Sequence, residues 1–263
     1  MTTREIPCAA STLVAGLLDG APRDCVEVAR TRVSVHYETG DVAVPVLTLC
    51  TPDAVRLPDS LVTDRLPGAD EAASQPRKAH DSTGARVGGG GLRAGGTTWR
   101  VRRWWQPPRP CGLPRPSAGD AARCTRDLGS LPGVPLPPPS YDGLSPRDLL
   151  GAGPGLTPAG DDVLAGALVA AHATDDPRLA TWRRALRPRL DEGRTTAVSR
   201  AMLHRALEGY ATPQLARFVT ALCLAHDLTR PWTDLLAVGH TSGGALLTGV
   251  LHTLSTHHLE GAA

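Results

Sequence analysis

Aromatic side chains are scarce: one Phe, three Tyr and five Trp make up 3% of a 263-residue chain. Hydrophobic residues still reach 41%, so the core must be filled by Leu, Val and Ala. An excess of one charge is missing too. Lys and Arg number 28 against 26 Asp and Glu, a formal net charge of +2, which fits neither a polyelectrolyte that coats nucleic acid nor an acidic disordered chain. The six cysteines, Cys8, Cys25, Cys50, Cys111, Cys124 and Cys223, include no C-x-x-C pair. That argues against a zinc knuckle or a redox dithiol and leaves reduced, structural thiols. No apolar run approaches the ~20 residues that span a bilayer, and Glu5 stands where a secretory leader carries basic residues. The expectation is a soluble cytoplasmic protein with no membrane and no nucleic-acid partner.

What is abundant is Gly, at 28, and Pro, at 24, clustered so that ordered segments lie between. From Val26 to Leu49 apolar and polar residues alternate, with Val33, Val35 and Tyr37 on one face and a Glu38 to Asp41 turn around Gly40. The spacing predicts a hairpin or meander. A second strand, Thr97 to Trp105, follows a run with six glycines between Gly88 and Gly96, suited to tight turns. The stretch from Pro107 to Pro139, with Leu136-Pro137-Pro138-Pro139 near its end, reads as an extended connector.

Beyond it, Ser145 suits an N-cap and Pro146 a first helical position. Helices are predicted over about 158–173, 177–189, 195–208, 214–226 and 244–257. The first and last are apolar nearly all round and belong at the centre of a bundle. The fold expected is α+β. A mostly-β N-terminal domain over 1–112 and a Pro-rich connector over 113–145 precede an α-helical domain over 146–263, whose two buried apolar helices are opened by Gly-rich turns.

The most informative segment runs from Gly151 through Asp162, GAGPGLTPAGDD, straight into an apolar helix. Gly151, Gly153 and Gly155 permit positive φ or close approach of the backbone, Thr157 can cap, and Pro158 can open the helix. Asp161 and Asp162 then fall where the helix dipole favours anions. An ordinary turn with two dipole-matched acids explains as much locally. Acids opening an apolar helix are expected to be partly buried, however, and a buried carboxylate needs a partner: a metal ion, a basic side chain or a substrate N–H.

A second segment, Gly239-His240-Thr241-Ser242-Gly243-Gly244, opens the other apolar helix and shares the frame G-x-T-x-x-G with residues 155–160. If the two helix N-termini converge, their unpaired N–H groups and hydroxyls form a cradle for a carboxylate or phosphate. Thr195 and Ser199, spaced i, i+4, present hydroxyls that line the same pocket or bond back to their own helix. Gly160 followed by Asp161 is no Walker lysine motif, Leu156 breaks a dinucleotide fingerprint, and Thr241 stands where a nucleophile elbow has Ser. His257 and His258 read as a helix end, and the stripe Arg102, Arg103, Trp104, Trp105 as half-buried strand.

In this order and spacing, GAGPGLTPAGDDVLAGAL, TTAVSRAMLHRALEGY and AVGHTSGGALLTGVL resemble the AllH-type family over about Leu149 to Leu254. The family's Gly-Pro-Gly-Leu-Thr-Pro-small-Gly-Asp-Asp text falls on Gly153 to Asp162, and its Gly-His-small-Ser-Gly text on Gly239 to Gly243. The resemblance implies a subunit of oxamate carbamoyltransferase. That enzyme interconverts carbamoyl phosphate and oxamate with oxalurate and phosphate in purine and allantoin breakdown.

On that reading the catalytic candidates are Asp161, Asp162 and His240. The substrate-binding candidates are Gly153, Gly155, Thr157, Gly160, Thr195, Ser199, Thr241, Ser242 and Gly243. The expected partners are a small anionic substrate and other subunits of the complex. No cofactor and no metal ligand set is expected, with Mg²⁺ as the one conceivable ion. The Ser-x-Arg-Thr-Arg signature of the aspartate and ornithine enzymes is absent, so a different architecture must do the work. The alternatives are a noncatalytic scaffold that binds a carboxylate metabolite and a Mg-dependent hydrolase.

Overall fold

The computed structural model describes residues 4–68, 84–129 and 146–255. The chain divides into two compact units, Met1–Pro107 and Pro108–Ala263, one strand-rich and one helical.

The first unit is a closed barrel. Its strands are β1 (Arg4–Ser11), β2 (Arg23–Arg30), β3 (Ser34–Glu38), β4 (Val46–Cys50), β5 (Ser60–Val62), β6 (Ala85–Gly88), β7 (Gly91–Ala94) and β8 (Thr97–Trp105), with helix α1 (Ala15–Asp19) after the first. They run in the order β1-β5-β4-β3-β2-β6-β7-β8 around the barrel. The expected meander exists as β2, β3 and β4, but its first turn lies at residues 31–33. Val33 therefore sits outside the strand, and Gly40 belongs to the β3–β4 connection. Closure was not foreseen, because it comes from parallel pairing of β1 with β8 and of β4 with β5. Such pairs link distant segments and leave no local signal. A closed sheet has no free edge to template further pairing.

Alternation fills the interior. Val87, Leu92 and Trp99 are register partners on β6, β7 and β8 and are fully buried. Trp99 donates its indole N–H to the Arg65 carbonyl at 2.9 Å, so one of the few aromatics fills the barrel without losing a polar bond. His36 is also buried, with Ser34 at 3.0 Å and Thr48 at 2.9 Å from its ring nitrogens. Burial holds its pKa down at about 4, so it stays neutral.

The second unit contains α2 (Ala118–Gly129), α3 (Pro146–Leu149), α4 (Ala159–Ala173), α5 (Arg178–Leu186), α6 (Ala197–Leu207), α7 (Pro213–Cys223), α8 (Thr229–Leu236) and α9 (Ser242–Ser255). Helix α2 occupies part of the stretch read as an extended connector, a correction: the proline-free run AGDAARCTRDLG, with its Ala, Arg and Leu, outweighs the flanking prolines. The chain before it is docked, with Leu113 N–H donating to the Ala173 carbonyl at 2.8 Å. Arg115 and Arg178 clamp Asp176 at 2.9 and 2.8 Å and both donate to the Thr253 carbonyl near the end of α9. The proline run at 136–139, Ser145 and the His257-His258 pair lie outside the described residues. Helix α8 was not expected. Its Pro231 sits in the first turn, where a missing N–H removes no helical bond.

Helices α4 and α9 form the centre, buried over nearly their whole length. They touch backbone to backbone. A Cβ on Gly166 would lie 2.0 Å from the Leu246 carbonyl oxygen, and one on Gly249 would lie 1.9 Å from that of Val163. Thr248 and Thr253, buried in the apolar helix, donate to carbonyls four residues back at 3.0 and 2.9 Å, which satisfies their hydroxyls without a partner helix. None of the six cysteines forms a disulfide; Cys111 is exposed and the others are buried. Desolvation lifts the Cys8, Cys50 and Cys223 thiols to about 11 and that of Cys25 to about 12, so they pack as small apolar groups.

Candidate functional site

Because α4 and α9 cross so closely, the loops that open them meet. Thr157 Oγ1 and Ser242 Oγ are 3.1 Å apart. Thr157 therefore does not cap α4. Pro158 stands at the N-cap position with no side-chain bond, and its carbonyl receives the Asp161 and Asp162 N–H groups at 2.9 and 3.2 Å.

The glycines are explained mostly by chain contact. Gly151, Gly153 and Gly155 have φ of +74°, +111° and +102°, the left-handed side that other residues avoid. A Cβ on Gly160 would meet the Leu149 carbonyl oxygen at 2.1 Å, and one on Gly243 that of Leu235 at 2.1 Å. These two let neighbouring turns close on the helix starts.

The same closure uses up backbone donors. Gly160 N–H goes to the Ala152 carbonyl at 2.8 Å and Gly243 N–H to that of Val238 at 2.9 Å. The expected cradle of unpaired N–H groups is therefore largely occupied from within the chain, because the tight glycine turns supply carbonyls to the helix starts. What remains available at the junction is side-chain chemistry.

The two acids differ sharply in their surroundings, though both are buried. Asp161 accepts the Gly151 N–H at 2.8 Å on Oδ1 and the Thr195 hydroxyl on Oδ2, so both oxygens hold segments of the chain together. Asp162 is different. Its Oδ2 is buried with no hydrogen-bond partner. Burial pushes its pKa up to about 7; hydrogen bonding from the Ser242 and Thr157 hydroxyls pulls against this, and the neighbouring Asp161 charge adds to it. A carboxyl that titrates near neutrality can both take and give a proton there.

The remaining candidates are placed as follows. Thr195 lies before α6, which starts at Ala197, so Thr195 and Ser199 do not share a helical face. Ser199 is fully buried with a partnerless hydroxyl, on a helix packed against α4. Thr196, passed over in the sequence, caps α6 by accepting the Ser199 N–H at 3.1 Å and donates to the Leu156 carbonyl at 2.6 Å. Its signal was there: Thr before an apolar helix is a standard N-cap. His240 and Thr241 are exposed at the tip of the second loop. Among the described residues no three His, Cys, Asp or Glu side chains come together in a way that could hold a metal ion, and no helix is long and apolar enough to cross a membrane.

Residues 149–254 match the model of the family described as oxamate carbamoyltransferase subunit AllH. The matched stretch contains both glycine-led loops and the Asp161–Thr195 bond. No solved structure matches the chain.

Proposed function

We propose that the helical unit is the substrate-binding part of a carbamoyltransferase subunit of the oxamate type, working with partner subunits. The observation that carries this reading is Asp162: a buried carboxyl with one unpartnered oxygen, poised near neutral pH, beside two hydroxyls delivered by separate loops. The family match supplies the reaction class.

In the forward direction the amide nitrogen of oxamate attacks the carbamoyl carbon of carbamoyl phosphate. A C–N bond forms, the C–O bond to phosphate breaks, phosphate departs with the bonding pair, and the nitrogen loses a proton. Asp162 Oδ2 takes that proton. In reverse, protonated Asp162 returns it to the departing nitrogen. A pKa near the working pH serves both directions.

Once Asp162 has taken the proton it no longer needs the Thr157 and Ser242 hydroxyl protons, and these hydroxyls turn to donate to the carbamoyl oxygen as negative charge develops on it. Ser199 is assigned to the same substrate pocket. Asp161 positions the loop through Gly151 and Thr195 and does not itself move protons. His240 and Thr241, exposed on the second loop, meet the anionic end of the substrate from outside. Gly153 and Gly155 give the first loop its path. No resident metal or cofactor enters this scheme.

The test is phosphate release from carbamoyl phosphate by the chain assembled with its partner subunits. Release should depend on oxamate, and Asp162→Asn should lower it by roughly a hundredfold or more, the usual scale of general acid–base catalysis. Undiminished release by Asp162→Asn would overturn the assignment of the base. Release that persists without oxamate would overturn the reaction class.

A further inference from the structure

We infer that the outer wall of the barrel carries a separate binding site for a small oxyanion, built on β6, β7 and β8. Register places Arg86, Arg93 and Thr98 side by side across the three strands, and Gly88, Gly91 and Arg100 side by side in the next outward-facing row. The residues between, Val87, Leu92 and Trp99, point into the core. Two members of the second row are glycines because backbone packs where a side chain would start: a Cβ on Gly88 would lie 2.8 Å from the Ala21 carbonyl oxygen, and one on Gly91 2.2 Å from that of Trp99. These six residues line a hollow of about 140 Å³.

The polar groups around the hollow are out of balance. Arg86 is tied to Asp24 at 3.1 Å and Arg100 to Glu5 at 3.3 Å, and Arg100 also donates to the Gly89 carbonyl at 2.7 Å. Arg93 sits directly opposite Arg86. Like charges facing each other across strands are destabilising, and among the described residues no acid answers Arg93. Three guanidiniums against two carboxylates leave one positive charge facing the hollow. Independently of charge, Thr98 is 95% buried in this wall, with its hydroxyl inaccessible and partnerless. A buried donor without an acceptor costs free energy that an incoming oxygen would recover.

A forked guanidinium, a hydroxyl and one surplus positive charge match a compact oxyanion, either phosphate or a small carboxylate. The site lies wholly within the barrel unit and shares no residue with the Asp162 centre, so it stands or falls separately from the transferase reading.

Isothermal titration of the full chain with inorganic phosphate, and separately with oxamate, tests it and distinguishes the two oxyanion types. Saturable binding of at least one anion that depends on the barrel residues is expected. Arg93→Gln should weaken it roughly tenfold or more, and Thr98→Val, which keeps shape and charge, roughly fivefold. The proposal is overturned if neither anion binds saturably, or if both barrel variants bind unchanged, which would put the anion elsewhere in the molecule. Should Arg93→Gln fail to fold, Thr98→Val decides.

Discussion

Thr157 and Ser242 are 85 positions apart in the chain, and their hydroxyl oxygens lie 3.1 Å apart at the junction of the two glycine-led loops. Both bear on Asp162, where hydrogen bonding from them favours the charged carboxylate. Ser242→Ala removes one of these donors, so the Asp162 pKa should rise further. With partner subunits present, the acid limb of the pH–rate profile should move up by roughly one pH unit. A profile that keeps its limb while losing overall rate would show that Ser242 contacts substrate without tuning the acid.

Asp162 also links stability to pH. Its folded pKa of about 7 exceeds the ordinary 3.8, so the folded helical unit binds a proton that the unfolded chain has released. That contribution is complete below about pH 4 and is lost as pH rises through 7. Asn at this position mimics the neutral acid. Asp162→Asn should therefore be more stable than the parent above neutrality, by on the order of a few kcal/mol, and equal to it in acid. Denaturant melts at pH 5 and pH 8 would show the difference opening at the higher pH, together with loss of turnover.

The barrel responds with the opposite sign. His36 is held neutral, with a pKa near 4 against an ordinary 6.5, so the unfolded chain takes up a proton that the folded barrel refuses. Its stability should be intact above pH 6.5 and decline between 6.5 and 4, by roughly 3 kcal/mol over the range. His36→Gln should flatten that part of the curve. Denaturant melts between pH 4 and pH 7 check this, and an unchanged acid slope in the variant would remove His36 as its source.

Close approach of α4 and α9 rests on glycine. Gly249→Ala would place a methyl 1.9 Å from the Val163 carbonyl oxygen, an overlap with rigid backbone that forces the helices apart. A loss of about 1–3 kcal/mol is expected, with larger effects if the crossing cannot adjust. Since the crossing also brings Thr157 to Ser242, the variant should lose oxamate-dependent phosphate release even at temperatures where it stays folded. Gly155→Ala is the control: its Cβ would meet nothing within 4 Å, so only the strain of its φ of +102° is added.

Much of the helical unit was legible. An apolar pattern all round a helix signals burial at the centre, and α4 and α9 are buried along nearly their whole length. Glycines bunched ahead of each helix signalled unusual backbone, and 151, 153, 155 and 239 have positive φ. Less legible was α2, whose helical composition was masked by prolines on either side. The expected face shared by Thr195 and Ser199 failed because helix onset shifted two residues, a boundary that local propensity resolves poorly. In the barrel, the strand pattern marked the meander and β8, but β1 mixes exposed and buried residues without clean alternation and β5 has only three residues.

By itself, then, the sequence determined what depends on a few neighbouring residues: helix starts, glycine turns, apolar cores and the candidate acids. Only the tertiary structure decided which acid is engaged. Asp161 is satisfied by Thr195, 34 residues away, while its neighbour Asp162 is left with a bare buried oxygen. Barrel closure was decided in the same way, by β1 pairing with β8 from the far end of the unit. Turns and helix periods are set by backbone sterics within one turn of chain. The supply of hydrogen-bond donors to a buried carboxyl, and the closing of a sheet, depend on segments that meet only when the core packs.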